Sequence, residues 1–277
     1  MANKIDQPEI SLTGIRIYPV KSLAGIYLDQ AEVQPQGLQD DRLFMLVDEK
    51  GLFITQRKYP QLALIKVQPM ENGFNFRVGN NLPLVIQDVN FETKTLNIKI
   101  WQDECIGLVA DEKVNQWFSQ YLGFPVKLIK YDYRTPRASD PHYSLPSDIV
   151  SFADGFPLLV MSQSSLSDLN SKLESPVTMT NFRPNIIVNG CAAFAEDDWQ
   201  QIRIGEVVFD AVKRCSRCVL ITINPETGIK SDKGQPLKTL SQYRKGDGGV
   251  LLGMNLIPRS KGVIRVNDKI EIINLFD

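Results

Sequence analysis

The sequence Lys-Arg-Cys-Ser-Arg-Cys occupies residues 213–218 and lies between two short apolar runs, residues 207–212 and 219–223. Both runs are rich in β-branched residues, so the pattern predicts two strands joined by a turn that carries two thiols and three cations. Neighbouring cations favour the thiolate form of cysteine, and a thiolate is a nucleophile and a ligand for soft metals. The same cations are suited to hold a phosphate. The stretch therefore predicts the site of an anionic, sulfur-ligated cofactor.

Short strands dominate the sequence outside this stretch. Residues 10–18 alternate apolar and polar side chains, as a half-buried strand does. Gly, Pro and Asn separate the strand-like segments, which is typical of a β-barrel or sandwich and not of alternating strands and helices. The sequence therefore predicts a mainly β protein with some helices. Further strand-like segments in the first half are residues 26–33, 43–47, 52–55, 63–70, 73–78, 82–85, 96–100 and 126–131.

A polar segment with three prolines, residues 132–148, divides the chain. Such a composition is typical of a long connection between domains. We therefore predict an N-terminal β-barrel domain at residues 10–131 and a second β-barrel domain with several helices at residues 132–277.

Two helices and a final hairpin are predicted from local signals. Residues 112–122 place apolar side chains at helical spacing, and Gly123 follows at the C-terminal cap position. Ser162 is suited to cap a second helix. Residues 262–266 and 269–273 are predicted to pair as the closing hairpin.

The composition is that of a globular protein without a strong charge preference. The 277 residues are 43% hydrophobic and 23% charged, with a net charge of −1, so nothing in the bulk charge attracts nucleic acid or an anionic membrane. Four cysteines are too few for a disulfide scaffold and indicate reduced thiols. Residues 1–12 contain no apolar targeting segment, and no run reaches the roughly 18 apolar residues of a membrane span. We expect a cytoplasmic protein without a membrane anchor.

Other interpretations of the cysteine pair fit less well. A structural zinc site needs four ligands, but only Cys105, Cys191 and His142 remain, and they form no second paired motif. A thioredoxin-like pair requires a strand-to-helix junction, whereas a strand-like run follows here. Two buried structural thiols beside a charged strand end remain an alternative, which Arg214 and Arg217 disfavour.

Three further segments carry candidate ligand-binding residues. Arg183 and Asn185 flank a proline that fixes the backbone, so a guanidinium suited to phosphate and a carboxamide are held together. Lys21 and Ser22 offer an ammonium, a hydroxyl and backbone amides without the spacing of a nucleotide P-loop. A single histidine makes histidine acid–base chemistry improbable, so proton transfer would come from a carboxylate such as Asp154 or from water on a cofactor.

Several motifs occur together in the order of a known family. They are Tyr-Pro-Val-Lys-Ser at residues 18–22, Asp-Arg at 41–42, Thr180 to Asn185, and Cys-Ser-Arg-Cys at 215–218 followed by Thr222 and Gly228. As a set they resemble the MOSC-domain family with an N-terminal MOSC β-barrel, the family of the mitochondrial amidoxime-reducing component and its bacterial relatives. The resemblance covers the chain from about Leu12 to the C-terminus.

The resemblance implies a molybdenum cofactor (Mo-molybdopterin) and the reduction of N-hydroxylated compounds such as amidoximes and hydroxylamines. By the family's motif Cys218 corresponds to the metal ligand, and Asp154 corresponds to an acidic residue near the metal. The contacts to the pterin and its phosphate correspond to Lys21, Ser22, Arg42, Arg183, Asn185, Ser216 and Arg217.

The resemblance also bears on the electron source. Some bacterial relatives carry a C-terminal iron–sulfur domain, whereas this sequence has no cysteines left for a cluster. We therefore expect electrons to come from a separate electron-transfer protein or flavin reductase. The alternative function is a non-catalytic carrier of the molybdenum cofactor or of sulfur, which would use either Cys215 or Cys218.

Overall fold

The computed structural model describes residues 9–276, with the side chains of residues 92 and 93 left aside. Most of the N-terminal segment in which we predict no targeting signal therefore lies outside the described residues. The described strands are β1 Ser11–Ile17, β2 Ile26–Leu28, β3 Gln30–Gln34, β4 Gly37–Leu38, β5 Phe44–Val47, β6 Lys66–Met70, β7 Gly73–Arg77, β8 Leu84–Ile86, β9 Phe91–Ile100, β10 Asp103–Ala110, β11 Lys127–Tyr131, β12 Arg137–Ala138, β13 Ile149–Val150, β14 Leu158–Ser162, β15 Ile186–Asn189, β16 Trp199–Ile204, β17 Val207–Arg217, β18 Lys245–Gly246, β19 Gly249–Pro258, β20 Gly262–Arg265 and β21 Ile270–Leu275.

The helices are few and short, so the predicted mainly β class is confirmed. The α-helices are α1 Glu112–Leu122, α2 Gln163–Asn170, α3 Met179–Phe182 and α4 Leu237–Tyr243. Four 3₁₀ segments, Pro60–Leu64, Asp88–Asn90, Ala195–Asp198 and Val219–Thr222, complete the set.

One nine-stranded sheet joins the two halves of the chain. Its strands run in the order β2-β1-β15-β14-β19-β17-β16-β21, with β18 added beside β19. Only β14 and β15 pair in parallel, and the other neighbours are antiparallel. Strands β1 and β2 come from the beginning of the chain, so this sheet contains strands from both sides of residue 131. The domain boundary at residue 131 stays a prediction.

Smaller sheets surround this one. A four-stranded sheet has the order β5-β11-β10-β9, and two three-stranded sheets have the orders β20-β3-β4 and β6-β7-β8. Strand β12 lies within the segment that we predicted as the interdomain connection, and it pairs with β13 directly after that segment. The main hydrophobic core is continuous across both halves of the chain, since Leu12, Phe44, Phe118, Phe152 and Met254 all belong to it.

Both predicted helices form. Helix α1 begins after Asp111, whose carboxylate accepts a hydrogen bond from the amide of Val114 at 2.9 Å, and it ends at Gly123 in the left-handed conformation. Ser162 caps α2 by accepting a hydrogen bond from the amide of Ser165 at 3.0 Å.

The predicted turn at residues 213–218 is wrong, because strand β17 continues to Arg217. Two register shifts against β19, after Ala211 and after Arg214, accommodate the extra length. The predicted strand at residues 219–223 is wrong too. It is a 3₁₀ segment, since the amide of Ile221 bonds to the carbonyl of Cys218 and the hydroxyl of Thr222 bonds to that of Val219. Residues 52–55 form isolated bridges instead of a strand.

The predicted closing hairpin is also wrong. Strand β20 pairs with β3, and β21 pairs with β16. The start of β1 separates them, because the carbonyl of Ile10 accepts a hydrogen bond from the amide of Ile270 and the carbonyl of Leu12 accepts one from Asn267. No helix within residues 9–276 is long and apolar enough to cross a membrane.

Candidate functional site

The nine residues predicted for the site line one cavity. They come from the loop after β1, the start of β5, the loop before β14, the turn between α3 and β15, and the end of β17. In chain order they are Lys21, Ser22, Arg42, Asp154, Arg183, Asn185, Ser216, Arg217 and Cys218.

The two cysteines of the central motif differ in their surroundings. Cys218 is exposed at the point where β17 ends and the 3₁₀ segment begins, and its sulfur has no hydrogen bond to a described residue. Cys215 is half-buried, and Nη1 of Arg217 donates to its sulfur at 3.0 Å. Both line the cavity. The thiol that is free to meet a ligand is therefore that of Cys218.

Arg217 crosses the cavity wall. Its Nη2 donates to the carbonyl of Phe182 at 2.6 Å, while its Nε is buried and has no partner among the described residues. The hydroxyl of Ser216 donates to the carbonyl of Gly248 at 2.7 Å. A buried N–H without a partner is costly, so the Nε of Arg217 marks a donor that the described residues leave unsatisfied beside the cavity.

Two guanidinium groups lie against one aromatic ring. The ring of Tyr18 is fully buried, and the guanidinium carbons of Arg42 and Arg183 lie 4.3 Å and 4.1 Å from its centroid. Arg42 forms an ion pair with the buried carboxylate of Asp41. Arg183 donates to the carbonyl of Leu23 at 2.6 Å and has no carboxylate partner among residues 9–276. Burial lowers the pKa of Arg183 to about 10, so the group stays charged at neutral pH.

Asn185 holds Arg42 in place. Its side-chain oxygen accepts from Nη1 of Arg42 at 2.9 Å and from the amide of Leu159 at 3.3 Å, and its NH₂ group donates to the carbonyl of Arg16 at 3.1 Å. The amide therefore has its hydrogen-bonding capacity largely taken up by the protein and holds Arg42 in place, while its predicted contact to the pterin or its phosphate stays a prediction.

Lys21 and Asp154 form an ion pair at the opposite wall. The Nζ of Lys21 lies 2.5 Å from Oδ1 of Asp154 and donates to the carbonyl of Phe152 at 2.8 Å. Burial lowers the pKa of Lys21, against the raising effect of Asp154. Desolvation by the cavity walls raises the pKa of Asp154, but the charge and hydrogen bond of Lys21 outweigh it and hold that pKa well below its usual range. The Asp154 carboxylate is therefore ionised at neutral pH.

Trp101 is a site residue that sequence reasoning missed. Its indole N–H donates to Oδ1 of Asp154 at 3.0 Å from the turn between β9 and β10. The ring of Phe53 lies 4.9 Å from the Trp101 ring, and the guanidinium of Arg57 lies 4.3 Å from it. Nothing in the local sequence links Trp101 to a carboxylate 53 residues away.

Arg137 is the second missed residue. It lies in β12, and its guanidinium donates to the carbonyls of Ser151, Ala153 and Asp154 at 3.1, 2.7 and 2.5 Å. Its Nε donates to the carboxylate of Asp103 at 2.6 Å. Arg137 therefore fixes the loop that carries Asp154 and ties it to β10.

Four residues around the cavity have left-handed backbones. The φ angles are +74° at Ser22, +49° at Arg42, +56° at Trp101 and +57° at Arg183. Such a conformation costs a residue with a Cβ atom about 1–3 kcal/mol and persists only where its surroundings enforce it. Its concentration here is typical of a site whose side chains must be held in fixed directions.

The donor set of the cavity fits an anionic ligand that also needs sulfur. Lys21, Arg42, Arg183 and Arg217 outnumber the two carboxylates that pair with them, those of Asp41 and Asp154. Arg217 and the exposed Cys218, whose thiol has no hydrogen bond to a described residue, line the same space. These groups suit a phosphorylated, metal-bearing pterin. His142 lies elsewhere, with an exposed ring near Asp140.

Comparison with known proteins identifies the class. Residues 10–125 match the MOSC N-terminal beta barrel domain, and residues 147–271 match the MOSC domain. The chain is 33% identical to mitochondrial amidoxime-reducing component 1 of Homo sapiens over 277 residues, which cover 93% of this chain and 81% of that protein. The chain therefore belongs to the MOSC-domain family of the amidoxime-reducing components, as its motifs predicted.

Other relatives agree. Mitochondrial amidoxime reducing component 2 of Homo sapiens is 36% identical over 242 residues, covering 83% of this chain and 71% of that protein. Mitochondrial amidoxime-reducing component 1 of Danio rerio is 30% identical over 282 residues, which cover 94% of this chain and 83% of that protein. Among solved structures, the YUAD protein of Bacillus subtilis has a TM-score of 0.43 at 9% identity, with 94% of this chain and 93% of that chain covered.

Proposed function

We propose that the chain is a molybdenum-dependent oxidoreductase that reduces N-hydroxylated compounds such as amidoximes and hydroxylamines. The observation that carries the proposal is the exposed thiol of Cys218 at a cavity lined by Lys21, Ser22, Arg42 and Arg183, in a relative of the amidoxime-reducing components. The reaction takes two electrons and two protons, breaks the N–O bond, and yields the amidine or amine and water.

The residues of the cavity would divide the binding of the molybdenum cofactor between them. Cys218 would ligate the metal, because its sulfur has no competing hydrogen bond to a described residue. Lys21, Ser22, Arg42 and Arg183 would hold the phosphate and pterin, and Arg217 would donate its free N–H. The bound cofactor would supply the two-electron chemistry, and the protein would fix its position.

Asp154 would bind substrate and not deliver a proton. Its Oδ1 is occupied by Lys21 and Trp101, whereas its Oδ2 accepts no hydrogen bond from a described residue, and the side chain is 73% exposed. With a lowered pKa, the carboxylate has no proton to give at neutral pH. It would accept a hydrogen bond from the N–OH group of the substrate, and the protons would come from water.

Electrons would come from a separate electron-transfer protein or flavin reductase. The four cysteines of the chain are spread over Cys105, Cys191, Cys215 and Cys218, a set that does not suit a cluster ligated by four thiolates. A cytoplasmic location stays a prediction from the reduced thiols, and the relatives named above carry the word mitochondrial in their names.

The test uses protein made in cells that synthesise the cofactor. We expect about one molybdenum atom per chain, since one thiol is available to ligate it, and reduction of an amidoxime when a viologen dye supplies electrons. Bound molybdenum without turnover of any amidoxime or hydroxylamine would instead support the carrier function. Protein without molybdenum, made in cells where a known molybdoenzyme is loaded, would contradict both the reductase and a carrier of the molybdenum cofactor, and would leave only the sulfur carrier.

A further inference from the structure

A second cavity lies beside the first, on the other side of Arg183. It has a volume of about 110 Å³ and shares Arg183 and Leu220 with the first cavity. A buried water needs roughly 10–15 Å³ by this kind of measure, so the space suits a small ion or a few waters and is too small for a nucleotide. The polar side chains that line it include Arg16, Gln56, Lys66, Thr180, Arg183 and Glu226.

Arg16 is a buried cation without a counter-charge. The residue is 3% exposed, and its guanidinium carbon lies 3.7 Å from the ring centroid of Tyr27. Its Nη1 donates to the hydroxyl of Thr180 at 2.8 Å, its Nε has no partner, and it forms no ion pair with any residue from 9 to 276. Arginine is seldom buried unless it is paired, because desolvation of the charge is costly.

Gln56 is a second buried polar group with unused capacity. The residue is 3% exposed, and its side-chain oxygen accepts no hydrogen bond within the described chain. Rotation about its last side-chain bond turns either the oxygen or the NH₂ group toward the cavity, so the amide can donate to an anion or accept from a hydroxyl. Buried polar atoms without partners are few in a folded protein, and two residues that carry such atoms within the described chain, Arg16 and Gln56, line this one cavity.

The charged residues at the rim do not neutralise Arg16. Lys66 and Glu226 form an ion pair with each other at 2.8 Å, and their side chains are 50% and 71% exposed. Arg183 adds a second positive charge on the wall shared with the first cavity. The inner part of the second cavity is therefore cationic. Waters could satisfy the hydrogen bonds of Arg16 but not balance its charge.

We propose that the second cavity binds a small oxyanion between Arg16 and Gln56. The guanidinium of Arg16 would donate to one oxygen of the anion, and the amide of Gln56 would bond to another oxygen or to an O–H of a protonated oxyanion. Arg183 lines both cavities. An anion bound in the second cavity would therefore place a negative charge near Arg183, which also lines the first cavity. The site needs no molybdenum cofactor, so it stands whether or not the proposed reaction does.

The test titrates the full-length, cofactor-loaded protein with inorganic phosphate and separately with acetate, by isothermal titration calorimetry. We expect binding of at least one of these probes, and a comparison of the two separates a tetrahedral from a planar oxyanion. Gln56→Leu and Arg16→Met should each weaken that binding at least about tenfold, because each removes at least one charge-assisted hydrogen bond to the anion. Lys21→Met, which removes a cation of the first cavity, should leave it within about twofold, because Lys21 does not line the second cavity.

Gln56→Leu keeps the test decisive if Arg16→Met does not fold. It removes a buried oxygen that has no partner, so it should not lower the melting temperature of the anion-free protein. The proposal is overturned if neither phosphate nor acetate binds at millimolar concentrations, or if Gln56→Leu leaves binding unchanged. Binding that only Lys21→Met weakens would place the anion in the first cavity and overturn it equally.

Discussion

Cys215 and Cys218 lie three residues apart on the wall of one cavity but are not equivalent. The sulfur of Cys215 accepts a hydrogen bond from Arg217, whereas that of Cys218 is exposed and without one from the described residues. Removing a group that supports a metal ligand lowers metal affinity or activity roughly 10–100-fold. Cys218→Ser would remove the ligand itself, so we expect it to lower both molybdenum binding and activity by more than that. Cys215→Ser should retain the metal. Metal analysis and amidoxime turnover of both variants test this assignment. Loss of molybdenum from Cys215→Ser but not from Cys218→Ser would show that Cys215 is the ligand.

The ion pair between Lys21 and Asp154 predicts a pH-dependent stability. The pKa of Asp154 is lowered in the folded protein, so its ionised form stabilises the fold above the unfolded-state pKa of about 4, and this contribution is lost as the pH falls toward the folded-state pKa. Because the carboxylate is 73% exposed, we expect Asp154→Asn to cost only about 1 kcal/mol at pH 7 and less at pH 3.

Urea unfolding at the two pH values measures this difference. Glu174→Gln is the matched control, because the ion pair between Glu174 and Lys233 is exposed on both sides and should contribute little at either pH. A destabilisation by Asp154→Asn that stays the same or grows at pH 3 would contradict the role of the ion pair.

Some of the residues predicted for the site belong to a recognisable local pattern, whereas Arg42 was assigned to the site, and Asp154 was placed near the metal, only from the resemblance to the family. Arg183 and Asn185 flank a proline, and Cys215 and Cys218 form a spaced pair among cations. Trp101 has no such pattern, since its role depends on a hydrogen bond to a carboxylate from another segment. Residues whose function is created only by tertiary contact carry no local signal.

At the scale of elements, the loop that carries Asp154 depends on strand β12. Arg137 holds three carbonyls of that loop, and its side chain is only 5% exposed. We expect Arg137→Met to destabilise the protein by about 3 kcal/mol, since it leaves buried carbonyls without donors. Activity should fall as well, because Asp154 loses its support. Urea unfolding and amidoxime turnover measure the two effects.

Arg134→Met provides the control from the same segment. The Arg134 side chain is 74% exposed and pairs with Asp132, so its loss should change stability much less than Arg137→Met does and leave activity unchanged. Equal effects of the two substitutions would show that Arg137 is no more than a surface cation.

Elements were predicted well where local signals decide and poorly where pairing decides. Helix α1 has an apolar stripe, a capping Asp111 and a terminal Gly123, and its predicted bounds are confirmed. The closing hairpin failed because residues at the start of β1 take the hydrogen bonds between the two strands. An apolar run such as residues 219–223 fits a strand or a helical turn equally, and local hydrogen bonds made it a 3₁₀ segment.

At the scale of the whole molecule, the two sequence halves share one sheet and one core. Strand β1 pairs with β15, and β3 pairs with β20, so strands from the beginning of the chain complete sheets of its second half. The cavity likewise takes Lys21 and Arg42 from the first half and Cys218 from the second. This arrangement predicts that the halves on either side of residue 131 depend on each other for folding.

We therefore expect the full chain to unfold in urea in a single transition, with coincident curves from tryptophan fluorescence and far-ultraviolet circular dichroism. Trp101 and Trp117 report on the first half and Trp199 on the second, so Trp199→Phe leaves the signal of the first half, and replacing both Trp101 and Trp117 with Phe leaves that of the second. A fragment of residues 132–277 should lack stable structure, because the edge of β15 that β1 covers and the whole of β20 would lose their partners. A folded fragment, or two separated transitions in the full chain, would establish residue 131 as a true domain boundary and leave the cavity as an interface between independent units.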